Sequence, residues 1–299
     1  MNFIPNGVKS GHVVVMKSKN KKVLISIIIP CYNSGKTIRK TVNSILNQTW
    51  ANIELIVVND GSNDLFTLTI LKQLPNCKII NQENKGLPTA RNIGFYHAKG
   101  EYIFFLDADD WIGKETLQEL YTTLSSNNMA SFSFPSMKLE GDRSNKISND
   151  YNFFEQLFIN KLPYSILISN SSFKKIGGYN ESFRDGYEDW ELNVRLGRNS
   201  VYGLKSPKAV LYYNVSNLGM LKSKSILLHG YIWKEIQKQN SESYRFIILI
   251  KNLIKWKKIK SSNNLILYII YYLLWLITPI KFFNIIFNLL VKFKSGFLV

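Results

Sequence analysis

Three acidic residues directly follow a short apolar segment near the middle of the chain. Residues 102–106 form an uninterrupted apolar run, typical of a strand buried on both faces of a sheet, and Asp107, Asp109 and Asp110 come next. Three carboxylates beside a buried strand lose hydration and repel one another unless a cation or hydrogen bonds compensate. Mg²⁺ and Mn²⁺ prefer hard oxygen ligands and often share their coordination with a substrate phosphate. The group therefore predicts a metal-assisted nucleotide site.

The same acids have a simpler alternative interpretation. An Asp-x-Asp tripeptide is short and common, and Asp109 or Asp110 could merely cap a helix that begins near Gly113. The segments around these acids are needed to distinguish a metal-assisted nucleotide site from a helix cap.

Strand and helix patterns alternate around these acids. Because strands joined by helices imply right-handed crossovers, the pattern predicts an α/β fold with a mostly parallel sheet flanked by helices. Ligands bind such sheets beyond the carboxyl ends of the strands, where the polar residues 32–34, 59–62 and 107–109 fall. Strands are predicted over 23–30, 53–58, 78–80 and 102–106, and helices over 36–48, 64–74 and 87–98.

The next part of the chain is less regular. A helix is predicted over 116–124, strands over 130–134 and 164–168, a helix end closed by glycine at 177–178, and a further helix opening at Glu188. The polar segment 141–150 is predicted to be a mobile loop.

The positive charge lies at the two ends of the chain. Of the net charge of +17, residues 1–22 carry +5, residues 222–299 carry +11 and residues 23–221 only +1. A nucleic-acid-binding protein would place its bases across the sheet with aromatics interleaved, so no nucleic-acid partner is expected. The two cysteines and three histidines argue against a zinc site or a disulfide framework and favour an intracellular protein.

The motifs, taken in order, resemble those of the family 2 glycosyltransferases. These are inverting enzymes that use sugar nucleotides and have the GT-A, Rossmann-like fold. The matching segments cover roughly residues 23–215 and occur in the family's order. They are SIIIPCYN at 26–33, LNQT at 46–49, VVNDGS at 57–62, NKGL at 84–87, ARNIG at 90–94, DADD at 107–110, GGY at 177–179 and EDW at 188–190.

The resemblance implies a role for several side chains. An inverting transfer needs a carboxylate to take the proton of the acceptor hydroxyl, while a metal ion stabilises the departing nucleoside diphosphate. By resemblance, Pro30, Tyr32 and Asn33 line the nucleotide pocket, Asp60 hydrogen-bonds the base, Arg91 approaches the nucleotide or its diphosphate, Asp107 contacts the ribose region, Asp109 holds Mn²⁺ or Mg²⁺, Asp189 is the general base, and Glu188 and Trp190 are candidate contacts of acceptor or sugar.

Each of these roles has a structural alternative. Asp60 before a glycine fits ordinary turn chemistry, and Arg91 could be a surface charge on a helix. Glu188 and Asp189 could cap the helix that follows, where the N-terminal dipole favours acids. Trp190 is most simply a core residue, although its ring could stack on a sugar.

The C-terminal region, residues 222–299, is predicted to be a basic, apolar, helical extension that associates with a membrane. Residues 265–277 are thirteen apolar or aromatic residues, fewer than the roughly 20 needed to span a bilayer. Residues 281–292 have the pattern of an amphipathic helix. Basic amphipathic helices lie in membrane interfaces. The alternative is that these helices cover the catalytic domain or form a dimer interface of a homo-oligomer.

Taken together, the sequence predicts a lead-in over 1–22, a GT-A catalytic domain over 23–221 and the extension over 222–299. The expected activity is transfer of a single hexosyl or N-acetylhexosaminyl group from a UDP-sugar to a glycan or lipid-linked saccharide, in cell-surface polysaccharide or glycolipid synthesis at the cytoplasmic face of the membrane. The chain has no Gln-x-x-Arg-Trp motif after Asp189, which disfavours processive synthesis. The alternatives are a non-catalytic membrane adaptor, which would have lost the acids, and a nucleotidyltransferase, which would need a Gly-rich phosphate loop that 31–36 matches poorly.

Overall fold

A computed structural model of the chain describes residues 23–127, 130–141, 145–215, 228–257, 265–283 and 285. The strands are β1 (Ile25–Cys31), β2 (Ile53–Asp60), β3 (Lys78–Gln82), β4 (Tyr102–Phe105), β5 (Trp111–Ile112), β6 (Phe132–Gly141), β7 (Asn145–Ile147), β8 (Leu167–Ser169) and β9 (Gly203–Val215). The helices are α1 (Ile38–Leu46), α2 (Leu65–Lys72), α3 (Leu87–His97), α4 (Thr116–Ser125), α5 (Phe153–Gln156), α6 (Asn170–Ile176), α7 (Glu188–Arg198), α8 (His229–Gln239), α9 (Phe246–Trp256) and α10 (Leu265–Ile277).

The strands of the described residues form one mixed sheet in the order β3-β2-β1-β4-β8-β6-β9-β5, with β7 paired to β6. The predicted α/β class is confirmed. The expectation of a mostly parallel sheet holds for β3, β2, β1 and β4, which are joined by helical crossovers. Beyond β4 the regular strand and helix alternation ends, and β8 pairs antiparallel with both β4 and β6. The second half of the sheet is therefore mixed.

Several predicted boundaries change in this second half. The strand predicted over 130–134 extends to Gly141, and the loop predicted over 141–150 contains β7, which pairs with β6. The mobile-loop prediction was therefore wrong for the hairpin strand, while residues 142–144 lie outside the described residues. The predicted helix closure is confirmed, because Gly177 follows α6 in the left-handed conformation at φ +88°.

Close packing of α3 against the parallel strands fixes the position of its side chains. At Gly94 an added Cβ would lie 2.3 Å from Cγ2 of Ile28 on β1. Only glycine permits this approach. The close contact sets α3 against the strand ends and directs Arg91, one turn earlier, into the protein interior.

The C-terminal helices pack onto the α/β domain through aromatic side chains. Trp233, Leu249, Trp256 and Trp275 belong to the same buried cluster as Phe154 of α5. No helix within the described ranges is long and apolar enough to cross a membrane. The predicted boundary between residues 221 and 222 falls outside the described residues, as does most of the helix predicted over 281–292.

Candidate active site

The first two loops at the carboxyl edge of the sheet are tied together by Asn33. This residue has φ +51°, a backbone conformation for which Asn is one of the more tolerant residues. Its amide donates to Oδ1 of Asn63 at 2.8 Å, and its own Oδ1 accepts from the backbone N–H of Asn63 at 3.0 Å. Nearby, Tyr32 is 47% exposed, whereas Pro30 is buried in β1. Tyr32 and Asn33 are therefore the exposed members of this predicted pocket, and the Asn33 side chain is held by its contacts with the second loop.

Asp60 at the end of β2 is used to shape the loop that leads into α3. Its Oδ1 accepts from Nε2 of Gln82 at 2.7 Å and from the backbone N–H of Lys85 at 2.8 Å. Its Oδ2 accepts from the backbone N–H of Gly86 at 2.9 Å. Both oxygens thus have internal donors, and the predicted contact of Asp60 with a base stays a prediction.

Arg91 lies inside the protein and joins the two groups of acids. Its Nη2 contacts Oδ1 of Asp107 at 2.7 Å, and its Nη1 contacts Oε1 of Glu188 at 2.6 Å. The guanidinium also lies 5.2 Å from the ring of Tyr164 and 5.1 Å from that of Tyr179. Burial alone would lower the pKa of Arg91, but Asp107, Tyr179 and Glu188 together raise it well above its ordinary value. Arg91 is therefore a fixed internal cation.

The three acids after β4 have three different environments. Asp110 is buried and accepts from the Tyr164 hydroxyl at 2.5 Å and from the backbone N–H of Asn214 at 2.8 Å. Burial, followed by repulsion from Asp109 and Asp107, raises the pKa of Asp110 well above its usual range. Asp110 thus holds β9 against the site, and neither it nor Asp109 caps α4, whose N-cap is Glu115.

Asp107 and Asp109 remain as the acids that could face a ligand. The side chain of Asp109 is exposed, and its carboxylate accepts a hydrogen bond from its own backbone N–H. Desolvation by the surrounding protein, followed by repulsion from Asp107, raises the pKa of Asp109 to about 6. A cation next to these two groups would relieve that repulsion.

The carboxylates of Asp107 and Asp109 fit a divalent metal ion whose coordination is completed by a substrate. No group of three or more His, Cys, Asp or Glu side chains in the described ranges is arranged to hold a metal ion. Asp107 and Asp109 supply hard carboxylate oxygens, and Mg²⁺ or Mn²⁺ is commonly bound by one or two carboxylates together with substrate phosphates. These residues therefore fit such an ion only together with a diphosphate.

Asp189 in the first turn of α7 has the properties of a general base. Its Oδ1 accepts from the backbone N–H of Trp190 at 2.8 Å, and its Oδ2 accepts from Nδ2 of Asn160 at 2.8 Å. Burial, followed by the charge of Glu188, raises the pKa of Asp189 to about 7, against the opposing effects of Arg91 and these hydrogen bonds. A carboxylate with a pKa near neutrality can accept a proton and release it again at physiological pH.

The residues on either side of Asp189 are structural in this conformation. Glu188 is buried against Arg91, and Trp190 is 1% exposed with its Nε1 donating to the carbonyl of Gln156 at 2.6 Å. The Trp190 ring is thus buried in the protein core, and its stacking on a sugar stays a prediction. Tyr187 precedes them at φ +62°, an uncommon conformation for a bulky residue that is often found at functional sites.

Tyr213 on β9 lies near both the acids that follow β4 and Asp189. The pKa of its phenol is raised by burial and then by the charges of Asp110, Asp107, Asp109 and Asp189. One side chain therefore lies near all four carboxylates.

Three of these side chains carry no motif in the sequence. Tyr164, Asn160 and Tyr213 are single residues, and only the folded chain brings them to the acids. For Tyr164 there was a weak indication in the sequence, because this residue lies at the start of the strand predicted over 164–168.

Comparisons with known proteins agree with this geometry. A sequence profile of Glycosyl transferase family 2 matches residues 26–183. Glycosyltransferase GlyA of Streptococcus pneumoniae serotype 4 is 32% identical over 172 residues, which are 56% of this chain and 22% of GlyA. Poly(ribitol-phosphate) beta-N-acetylglucosaminyltransferase TarP of Staphylococcus aureus is 36% identical over 110 residues, which are 35% of this chain and 34% of TarP. The chain thus matches only a part of each relative.

Solved structures show the same fold. Residues 1–349 of S. aureus TarS in complex with UDP-GlcNAc superimpose with a TM-score of 0.64 at 22% identity, covering 80% of this chain and 74% of that chain. GalNAc-T7 with UDP, GalNAc and Mn²⁺ superimposes with a TM-score of 0.52 at 18% identity, covering 66% of this chain and 45% of that chain.

Proposed function

This chain is a glycosyltransferase of family 2, and we propose that it transfers a single sugar, with inversion, from a UDP-sugar to a glycan or lipid-linked saccharide. The donor sugar would be a hexose or an N-acetylhexosamine, and the reaction would serve cell-surface polysaccharide or glycolipid synthesis at the cytoplasmic face of the membrane. The observation that carries the proposal is that an exposed carboxylate, Asp109, and a carboxylate with a pKa near 7, Asp189, both lie near Tyr213. TarP, a beta-N-acetylglucosaminyltransferase, and the TarS structure in complex with UDP-GlcNAc support the donor class.

Asp189 would act on the acceptor. Its carboxylate takes the proton of an acceptor hydroxyl while the oxygen forms a bond to the anomeric carbon of the donor sugar. The bond from that carbon to the diphosphate oxygen breaks at the same time, and UDP leaves from the opposite face with the electron pair. Attack opposite the leaving group inverts the configuration, and no enzyme nucleophile is needed.

Asp107 and Asp109 would act on the leaving group. They are the residues that would hold a Mn²⁺ or Mg²⁺ ion together with the diphosphate, and the metal-containing GalNAc-T7 structure supports a divalent ion for this fold. When bound, the ion neutralises charge that develops on the departing diphosphate. The ion pair between Arg91 and Asp107, at 2.7 Å, holds the Asp107 carboxylate in place.

The donor is tested by measuring UDP release from a panel of UDP-sugars by the purified protein. We expect release from one UDP-hexose or UDP-N-acetylhexosamine with Mn²⁺, loss of release with EDTA, and a reduction of about tenfold or more in Asp109→Asn. Release of sugar 1-phosphate in place of UDP would indicate a nucleotidyltransferase instead, because such an enzyme breaks the bond between the two phosphates of the UDP-sugar. If no UDP-sugar binds in calorimetry even with Mn²⁺, the adaptor alternative is correct.

Asn160 is expected to set the pH dependence of the reaction. Its hydrogen bond favours the charged form of Asp189, and Nδ2 of Asn193 fixes the Asn160 amide by donating to its Oδ1 at 3.1 Å. Because a hydrogen bond to a charged group contributes about 1.5 kcal/mol or more, Asn160→Ala should raise the pKa of Asp189 by about 1 unit. The acidic limb of the kcat/KM profile then moves to higher pH.

Asn170 provides the matched control for this variant. Its Nδ2 also makes one hydrogen bond, to the carbonyl of Gly100 at 3.1 Å, away from the acids. Asn170→Ala should leave the acidic limb where it is in the wild type. An unmoved limb in Asn160→Ala would show that Asn160 does not act through Asp189.

A further inference from the structure

Helix α10 has two faces of different chemistry. Its aromatic residues Tyr272 and Trp275 are buried, each 8% exposed, and they follow one another at helical spacing. The exposed side chains that the structure describes on the opposite side of the helix are aliphatic, and they are 47–79% exposed. These are Ile270, Leu273, Leu276 and Ile277.

The buried face fixes which way the helix is turned. The Trp275 ring lies 5.1 Å from that of Trp233, and its Nε1 donates to Oε1 of Gln237 at 3.0 Å. The Tyr272 hydroxyl donates to the carbonyl of Tyr244 at 3.0 Å. Because these contacts anchor the aromatic side, the aliphatic side necessarily faces away from the protein.

Exposed apolar side chains are also present on the helical segments that come before and after the exposed residues of α10 in the chain. On α9, Phe246, Ile247 and Ile254 are 58–66% exposed, and after α10 Phe282 is 63% exposed. Exposed lysines accompany these side chains, among them Lys251. Single exposed apolar residues are normal, but a series of them on consecutive helices marks an interaction surface.

The charge of this region selects its partner. After Glu242 the chain contains nine Lys and Arg and no acidic residue. Two copies of such a surface would repel each other, whereas an anionic lipid surface would attract the lysines and accept the aliphatic side chains. We propose that the aliphatic face of α10, with the exposed face of α9, is a monotopic docking surface for an anionic membrane.

The docking surface is connected to the catalytic helix. Trp233, beneath α10, lies 6.2 Å from the ring of His229, and His229 stacks 5.6 Å from Trp190, the residue after Asp189. A membrane held at α10 would thus have a fixed position relative to α7, which suits an acceptor that is itself anchored in lipid. Lipid binding itself does not depend on sugar transfer, so it can be tested separately.

The experiment is co-sedimentation of the full chain with vesicles of phosphatidylglycerol and phosphatidylcholine, or of phosphatidylcholine alone. We expect the wild type to bind the anionic vesicles, to bind the neutral ones much more weakly, and to be released by high salt. The double variant Leu276→Ser/Ile277→Ser should bind the anionic vesicles at least tenfold more weakly. The control Leu65→Ser/Tyr96→Ser, at positions that are 81% and 83% exposed on α2 and α3, should bind like the wild type.

Three results would overturn the proposal. The first is wild-type protein that stays in the supernatant with anionic vesicles, or a double variant that binds as tightly as the wild type. The second is a dimer in sedimentation velocity that the double variant abolishes, because the face would then bind a second copy. The third is a lower unfolding temperature of the double variant than of the control without lipid, because the face would then be covered by the chain itself.

Discussion

Replacing Asp189 by Asn is expected to lower kcat about a thousandfold, because general-base catalysis typically contributes a factor of about 10²–10⁴. The Asn side chain has nearly the same shape, but its single amide oxygen can replace only one of the two carboxylate oxygens that accept from Asn160 and from the backbone N–H of Trp190, and it cannot take a proton. Affinity for UDP should stay within about threefold of the wild type, since in the proposed mechanism Asp189 acts on the acceptor and not on the nucleotide. UDP release in single-turnover assays and UDP binding by calorimetry measure the two effects separately.

The same substitution is expected to stabilise the protein at alkaline pH. The pKa of Asp189 is raised from 3.8 to about 7, so ionisation in the folded state costs free energy. Neutral Asp189 contributes to the stability of the folded protein. This contribution is fully present below pH 3.8 and is lost as the pH rises through about 7. At pH 8 the Asn variant should therefore be more stable by about 1 kcal/mol, a difference that shrinks towards pH 4.

Asp150 provides the comparison for both effects. It is a surface carboxylate that pairs with Lys205 at 2.8 Å. Asp150→Asn should change neither kcat nor the pH dependence of unfolding. If Asp189→Asn retained most of its activity, another group would have to be the base. If it lost activity and also lost stability at pH 8, the burial argument would be wrong.

The first half of the fold was predictable because its signals are local. The strands β1, β2 and β4 are mainly apolar, and helices separate them along the chain, so the boundaries agree to within a few residues. The acids at the strand ends follow from the same pattern. The mixed second half was not predictable in this way, because β8 pairs antiparallel with β4 and β6, and those strands are distant from it in sequence.

The partners of the site residues were the least predictable part. The sequence motifs name Asp60, Arg91 and Glu188, but they do not show that Asp60 is occupied by loop donors or that Arg91 is enclosed by acids and tyrosines. Such partners come from distant segments, and a single Asn or Tyr has no periodicity to distinguish it. The role that a motif residue plays is thus harder to infer from sequence than its presence.

Arg91→Met is expected to lower the free energy of unfolding by about 3–5 kcal/mol, the usual effect of removing one partner from a buried ion pair. Met fills much of the same volume, but Asp107 and Glu188 would be left without their cation in the protein interior. Denaturant unfolding of the wild type and the variant measures this loss.

Two further variants identify the cause of this loss. Arg39→Met, on the exposed side of α1, should change stability by less than about 0.5 kcal/mol, as surface substitutions usually do. Adding Glu188→Gln to Arg91→Met should recover part of the loss, because the two residues interact directly and their effects are not additive. The role implied by family resemblance predicts a different result, namely unchanged stability with a raised KM for the donor. That outcome would place the Arg91 guanidinium on the diphosphate and not between Asp107 and Glu188.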